Sequence, residues 1–184
     1  MQRCVVEAVV ATPAGDLRVY SGHLSHISSG QRVIQVRALM DFIMDAPVNG
    51  SAWDHTHTPD WTEGMEAPLL PEPAVLMGDM NFTHDSPEYQ LVCGELDPHF
   101  GRISHARTLV DAWTLAGHDV ADGVSIVDTP WGDIRIDHVF VTRSIAPFVR
   151  SMTIDSSAQG SDHFPVFAEL ELPDGALPRK NGPP

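Results

Sequence analysis

The chain has 184 residues, 42% of them hydrophobic, and its 11 Lys and Arg against 25 Asp and Glu give a formal net charge of -14. This length fits one globular domain with a sizeable core. The negative charge disfavours extended DNA or RNA as a substrate, because a polyanion is repelled. The sequence contains neither an apolar run of membrane-spanning length nor the zones of a signal peptide, so we expect a cytoplasmic protein without a transmembrane segment.

Two apolar runs near the amino terminus predict a β-hairpin. Residues Val5 to Val10 and Leu17 to Leu24 are rich in β-branched side chains, and a turn containing proline and glycine separates them.

An amphipathic helix is predicted next, over residues 30–45. Ser28 and Gln31 have the spacing of a capping box before it, and apolar residues then recur at helical spacing.

Residues 47–73 contain five prolines and predict a long loop insertion. The sequence Asp54-His55-Thr56-His57 within it is interpreted as a solvated lip, because a metal site would need a second ligand pair. A short buried strand is predicted at Ala74 to Met77. A helix then begins after Ser86, with Pro87 at its first position.

The remaining pattern predicts one more helix, three strands and a tail. The helix is expected at Thr108–Ala116, the strands at Arg135–Thr142, Val149–Ile154 and Phe164–Leu172, and a flexible tail at 173–184. We therefore predict a single domain over residues 1–172. Strands mixed with a few helices, without regular βαβ alternation, indicate an α/β sandwich built on mixed or antiparallel sheets.

Three polar clusters lie on predicted strands or at their ends, where a sheet can aim side chains into one cleft. Their sequences are Gly78-Asp79-Met80-Asn81, Arg135-Ile136-Asp137-His138-Val139 and Gly160-Ser161-Asp162-His163-Phe164-Pro165. Hydrolysis of a phosphate ester needs a base for water, donors for the phosphoryl oxygens and a cation. The clusters contain all three kinds of group. Asp137, in an apolar strand, requires a buried partner, and His163 is the best candidate.

These clusters, their order, and the strand end Gly22-His23-Leu24 resemble the endonuclease/exonuclease/phosphatase superfamily of deoxyribonuclease I-like, metal-dependent hydrolases. The resemblance covers residues 3–172 and is limited to the carboxyl-terminal half of the family pattern. It implies a four-layer α/β/β/α sandwich of the deoxyribonuclease I-like type, here lacking its amino-terminal portion.

The resemblance also implies catalytic roles for residues of this chain. Asp79 resembles the aspartate that orients or deprotonates the attacking water, and Asn81 the asparagine that donates to the phosphate. His163 resembles the histidine that contacts the scissile phosphate or acts as acid and base. Asp137 resembles the aspartate that hydrogen-bonds this histidine and favours its charged form. His23 matches a family histidine, although Gly22 stands where threonine is usual.

A metal and a partner are implied in the same way. Asp162 resembles a carboxylate on the metal side, and the expected ion is Mg²⁺, with Mn²⁺ as the alternative. The family's principal metal ligand, a glutamate, belongs to the amino-terminal half. We therefore expect weak or no activity from this chain alone, and pairing with a second copy or with a separate amino-terminal half.

Three functions remain open at this point. The first is a metal-dependent phosphoesterase that hydrolyses a phosphodiester or phosphomonoester of a small molecule or lipid headgroup. The second is a nuclease of the same superfamily, which would need basic residues clustered at the rim of the cleft. The third is a catalytically silent fragment that acts as a binding or assembly module.

Overall fold

The computed structural model describes residues 3–50 and 70–178. Its strands are β1 (Val5–Thr12), β2 (Gly15–His23), β3 (Ala74–Asp79), β4 (Glu95–Asp97), β5 (Gly101–Ile103), β6 (Val110–Asp111), β7 (Ile126–Thr129), β8 (Gly132–Ile134), β9 (Asp137–Val141), β10 (Val149–Ile154) and β11 (Val166–Leu170). The helices are α1 (Ser29–Asn49), α2 (Pro87–Cys93) and α3 (Ala112–Leu115), and a 3₁₀ turn covers Ala146–Phe148. None of the helices in the described ranges is long and apolar enough to cross a membrane.

A five-stranded mixed sheet organises the domain. Its order is β1-β2-β3-β9-β6, with β2 and β3 parallel and the other neighbours antiparallel. The pairs β4-β5, β7-β8 and β10-β11 form three separate hairpins. The hairpin predicted at the amino terminus is therefore confirmed, and so is the mixed α/β class.

Each face of the sheet has its own apolar core, because successive side chains of a strand point to opposite faces. Tyr20 and Leu76 pack with Ile43 of α1 on one face. Val75 and Val139 pack with Met152 of β10 on the other. The described residues thus form a helical layer, the five-stranded sheet and the β10-β11 hairpin, in that order.

Helix α1 extends beyond the predicted residues 30–45 and includes Pro47. A proline in a helix has no N–H for the carbonyl four residues earlier, which here is that of Ile43. The buried guanidinium of Arg18 donates to this carbonyl instead, at 2.9 Å from Nη1. A tertiary hydrogen bond therefore replaces the missing helical one, which the local sequence does not show.

The helix predicted at Thr108–Ala116 is wrong over its first part. Val110 pairs with Val141 of β9, so Val110 and Asp111 form the edge strand β6. The helix begins only at Ala112, and the Asp111 side chain caps it by accepting from the Trp113 N–H. Pairing with β9 overrides helical spacing here, since a β-branched valine favours a strand.

Part of the predicted loop and tail is described. Residues 51–69, which include Asp54, His55 and His57, lie outside the described residues, as do residues 179–184. The beginning of the predicted tail is packed: Leu177 is buried, and its N–H donates to the Ala14 carbonyl at 2.7 Å.

Gly78 marks the tightest backbone approach in the sheet, and it offers a test of the fold. Its φ is +134°, and a Cβ at this position would lie 2.0 Å from the carbonyl oxygen of Gly22 on β2. Because backbone must move to admit a methyl group, we expect Gly78→Ala to lower the free energy of unfolding by more than about 2 kcal/mol, measured by urea denaturation.

Gly30 provides the matched control. It lies in α1, and no atom comes within 4 Å of the place that an added Cβ would occupy, so Gly30→Ala should stabilise the protein by about 0.5–1 kcal/mol. Equal effects of the two alanine substitutions would contradict the strand register described above.

Candidate active site

Three neighbouring strands end at one edge of the sheet with polar residues in register. His23 of β2 is the cross-strand partner of Asp79 of β3, and Asp79 is the partner of Asp137 of β9. Residues directly opposite each other in a sheet project their side chains on the same face. The first side-chain contact of the site follows, with 3.1 Å between His23 Nε2 and Asp79 Oδ2.

Asn81 lies in the turn that follows β3, in an unusual backbone conformation. Its φ is 53°, in the left-handed region that asparagine tolerates better than most residues. Its backbone N–H donates to Asp79 Oδ1 at 2.9 Å, and its side-chain amide donates to Asp79 Oδ2 and to the Leu24 carbonyl, each at 3.1 Å. Asp79 and Asn81 are thus held as one rigid unit.

His163 reaches the site from a loop that the sheet does not contain. It bridges Ile126, and the next residue, Phe164, donates its N–H to the Ser125 carbonyl at 2.7 Å. Its ring Nδ1 lies 2.7 Å from Asp137 Oδ2, so the contact predicted for the buried carboxylate is present. With Nδ1 engaged by the carboxylate, Nε2 is the nitrogen left for a ligand.

The site perturbs the pKa of two of its members. Burial lowers the pKa of His163, but the hydrogen bond and charge of Asp137, followed by the charges of Asp79 and Asp162, outweigh it, so the net pKa is raised. The pKa of Asp79 is also raised, first by burial and then by the charge of Asp137, against lowering contributions from Asn81 and the two histidines. His163 is therefore biased toward imidazolium, and Asp79 toward a stronger base than an ordinary aspartate.

Sequence reasoning missed Arg3 and Ser125. Arg3 Nη1 lies 2.9 and 2.7 Å from the two ring nitrogens of His23, and Nη2 lies 2.6 Å from His26 Nδ1. The Ser125 hydroxyl donates to Asp137 Oδ2 at 2.7 Å and accepts from the backbone N–H of Asp137 at 3.1 Å. Neither residue stands in a polar cluster of the sequence, so only the folded chain reveals them.

The predicted metal residue Asp162 is exposed. Within residues 3–50 and 70–178, no group of three or more His, Cys, Asp or Glu side chains is arranged to hold a metal ion. The Asp79 oxygens already accept from Asn81, and Asp137 Oδ2 already accepts from Ser125. The described residues therefore do not build a complete metal site.

The pKa of His163 provides a direct test of this geometry. Asp137→Asn removes the hydrogen bond to a charged carboxylate, so the pKa of His163 should fall, as measured by an NMR titration of its ring resonances. Asp162→Asn, which removes only the weakest of the contributions given above, should lower it less. An Asp162 effect equal to the Asp137 effect would contradict the assigned contact.

The same contact sets a direction for stability. The folded-state pKa of His163 is raised above its unfolded value of about 6.5. The stabilisation of the folded state by the contact between His163 and Asp137 is therefore fully present below the unfolded-state pKa. It is lost as pH rises through the folded-state pKa. The stability difference between the natural protein and Asp137→Asn should accordingly shrink on the alkaline side.

Comparisons with solved structures show the fold. An endonuclease/exonuclease/phosphatase from Bacteroides vulgatus matches with a TM-score of 0.60 and 22% identity, over 92% of this chain and 56% of that one. A humanized D. rerio TDP2 matches with a TM-score of 0.57 and 18% identity, over 90% of this chain and 59% of that one. The chain thus spans a little over half the length of these structures. No curated protein gives a significant sequence match.

A family comparison agrees with the fold and the strand-end motifs. The model of the Endonuclease/Exonuclease/phosphatase family matches residues 47–163, which is more than half of the chain. The chain belongs to the endonuclease/exonuclease/phosphatase family and has its deoxyribonuclease I-like mixed α/β fold.

Proposed function

We propose that this chain is a phosphoesterase, a hydrolase of a phosphodiester or phosphomonoester. The observation that carries the proposal is the placement of Asp79 and Asp137 side by side at the strand ends, with His163 bonded to one and Asn81 to the other. This set combines a carboxylate base, an amide donor and a charged imidazole on one edge. Attack of water on a phosphate ester requires such a combination.

Asp79 is proposed as the base. Its raised pKa makes the carboxylate a better proton acceptor than a solvated aspartate, since burial disfavours its charge. It remains accessible to water, because 17% of its side chain is exposed. A water between Asp79 and the phosphorus would lose its proton to Asp79 as the new P–O bond forms.

Asn81 and His163 are proposed as donors to the phosphoryl oxygens. The two N–H groups of the Asn81 amide donate to Asp79 and to the Leu24 carbonyl, so one of these hydrogen bonds is exchanged for one to a phosphoryl oxygen when the substrate binds. His163, kept protonated by Asp137, presents Nε2–H to an oxygen of the phosphoryl group or gives its proton to the leaving oxygen. The Arg3 guanidinium beside His23 adds positive charge at the same edge.

A metal requirement belongs to the proposal, with Mg²⁺ or Mn²⁺ as the ion. Mg²⁺ retains several waters and is held in many enzymes by one or two carboxylates and substrate phosphate oxygens. Asp162 is the carboxylate proposed to contribute, beside His163. Since the described residues do not complete a site, no step above depends on the ion.

A small molecule or a lipid headgroup is the proposed substrate class. The net charge of -14 disfavours a long polyanion. Two of the arginines that could bind a nucleic-acid backbone have other contacts. Arg107 pairs with Asp41 and Asp45 on α1, and Arg135 is buried. A nuclease of the same superfamily is thus the less favoured alternative.

A second candidate function, assembly with another polypeptide, is favoured by one observation. Val6 and Val10 on β1 are 61% and 44% exposed, and β1 is an edge strand of the sheet as far as it is described. An apolar edge strand invites a further strand. We propose a second copy of this chain as the occupant, because two β1 edges can pair antiparallel about a twofold axis.

The hydrolysis proposal is tested with bis-p-nitrophenyl phosphate and the purified chain, with Mg²⁺ or Mn²⁺ and an EDTA control. We expect weak, metal-dependent turnover that falls by about 100-fold or more in His163→Ala, because a general acid or donor is removed. His99→Ala, at an exposed histidine outside the site, should leave the rate unchanged. Turnover unaffected by His163→Ala would refute the assigned role, and no turnover at all would favour the assembly module.

The assembly proposal is tested by native mass spectrometry. A dimer that Val6→Lys converts to monomer is expected, since a charge on an edge strand opposes strand addition. A stable monomer of the natural chain would refute pairing with a second copy and would leave a different polypeptide as the partner.

A further inference from the structure

A buried polar network lies directly behind the candidate active site and has no role in the chemistry proposed above. Asp111, Arg135 and His138 are 2%, 6% and 2% exposed. Arg135 Nη2 donates to Asp111 Oδ2 at 3.2 Å, and Arg135 Nη1 lies 2.8 Å from His138 Nδ1. Tyr89 donates its hydroxyl to the same Asp111 oxygen at 2.8 Å. Burying such groups is costly unless each is satisfied, so the arrangement calls for an explanation.

The contacts of Arg135 determine the protonation state of the His138 ring. A guanidinium only donates, so His138 Nδ1 must accept and carry no proton. The proton of the neutral ring is therefore on Nε2, which lies 2.8 Å from the Phe82 carbonyl oxygen and donates to it. Burial lowers the pKa of His138 to about 4, followed by the charge of Arg135, which agrees with a neutral ring.

Arg135 itself has little freedom to move. Its Nε donates to the Asp122 carbonyl at 3.2 Å and its Nη2 also donates to the Val120 carbonyl at 3.1 Å. The guanidinium stacks on Trp113, 5.1 Å from the ring centre. The turn at residues 120–122 and helix α3 thus fix Arg135, and Arg135 fixes the imidazole of His138.

The Phe82 carbonyl is one residue beyond Asn81, in the turn that leaves β3. On the other side of Asn81, Met80 donates its N–H to the Ile136 carbonyl at 2.9 Å, and Asp79 accepts from the Asn81 N–H. Asn81 is held at a positive φ, a conformation that costs free energy unless its surroundings impose it. The His138 bond to Phe82 is the restraint on the downstream side.

We propose that His138 is a positioning residue, which, oriented by Arg135, holds the Phe82 carbonyl and thereby keeps Asn81 in the left-handed conformation that places its amide against Asp79 at the active-site edge. The proposal rests on the proposed function for the role of the Asn81 amide, but not for the conformation itself. The competing explanation is core packing alone, since the His138 ring stacks on Phe82 and Phe140 at 5.3 and 5.2 Å.

Two substitutions separate these explanations. In His138→Asn the amide oxygen and nitrogen are as many covalent bonds from Cβ as Nδ1 of histidine. The amide oxygen can therefore accept from Arg135, but the amide nitrogen cannot reach the Phe82 carbonyl. In His138→Gln they are as many bonds from Cβ as Nε2, so the amide nitrogen can donate to the Phe82 carbonyl but the amide oxygen no longer accepts from Arg135. Both variants lose the aromatic stack, and packing alone predicts the same consequences for both.

The first readout is the conformation of Asn81, which is monitored through its backbone and side-chain NMR resonances. We expect the natural protein and His138→Gln to show left-handed Asn81 chemical shifts, and His138→Asn to lose them. Unchanged Asn81 resonances in His138→Asn, or equal changes in both variants, would overturn the proposal. This result does not depend on any hydrolytic activity.

The second readout is turnover of bis-p-nitrophenyl phosphate. Misplacement of a donor costs up to about 100-fold in rate, so His138→Asn should lose kcat by about 10- to 100-fold with little change in KM, and His138→Gln should recover most of it. If the natural chain shows no turnover, the proposed function fails while the NMR test of His138 stands by itself.

A measurement on the natural protein covers the case in which neither variant folds. Long-range ¹H–¹⁵N correlation at neutral pH distinguishes the two neutral tautomers of a histidine and the imidazolium. The protonated nitrogen of His138 should be Nε2. A proton on Nδ1, alone or together with Nε2, would exclude the hydrogen bonds that the proposal requires.

Discussion

The pairing of β3 with β2 on one side and β9 on the other is the constraint on which the site depends. This register sets His23 opposite Asp79 and Asp79 opposite Asp137, so the sheet itself brings one histidine and two carboxylates to a single edge. Gly78 permits it, because any side chain there would meet the Gly22 carbonyl. Two like charges placed side by side are destabilising, and the positively charged groups and hydrogen-bond donors around them offset this repulsion.

Those neighbours explain why the acidic pair is tolerated. His163 and Ser125 share one oxygen of Asp137, while Asn81 satisfies both oxygens of Asp79. Each carboxylate thus has its own set of donors. Burial raises the pKa of Asp79 and the charge of Asp137 adds to it, while the neighbouring carboxylates raise the pKa of His163 against the effect of its burial. Reactivity and structural stability therefore draw on the same contacts.

The sequence was informative where a local pattern coincides with a strand end. The apolar run before Gly78, and the carboxylate at Asp137 within an apolar strand, were enough to predict β3, β9 and the contact with His163. It failed at Val110, where the pairing with β9 decides the conformation, and at the hairpins β4-β5 and β7-β8, whose short strands have little periodicity. The catalytic roles and the metal stay predictions.

Residues that act through long-range contacts were beyond sequence reasoning for a physical reason. Arg3 and Ser125 are defined only by what the fold places beside them, and so is the pair formed by Arg18 and the Ile43 carbonyl that Pro47 leaves without a helical donor. The same holds for His138. Its ring is buried, yet its two nitrogens join the interior of the domain to the turn that carries Asn81. Burying polar groups in this manner costs free energy unless they are hydrogen-bonded. The network of Asp111, Arg135 and His138 is almost completely hydrogen-bonded in one arrangement, and it therefore fixes the neighbouring active-site edge in one conformation.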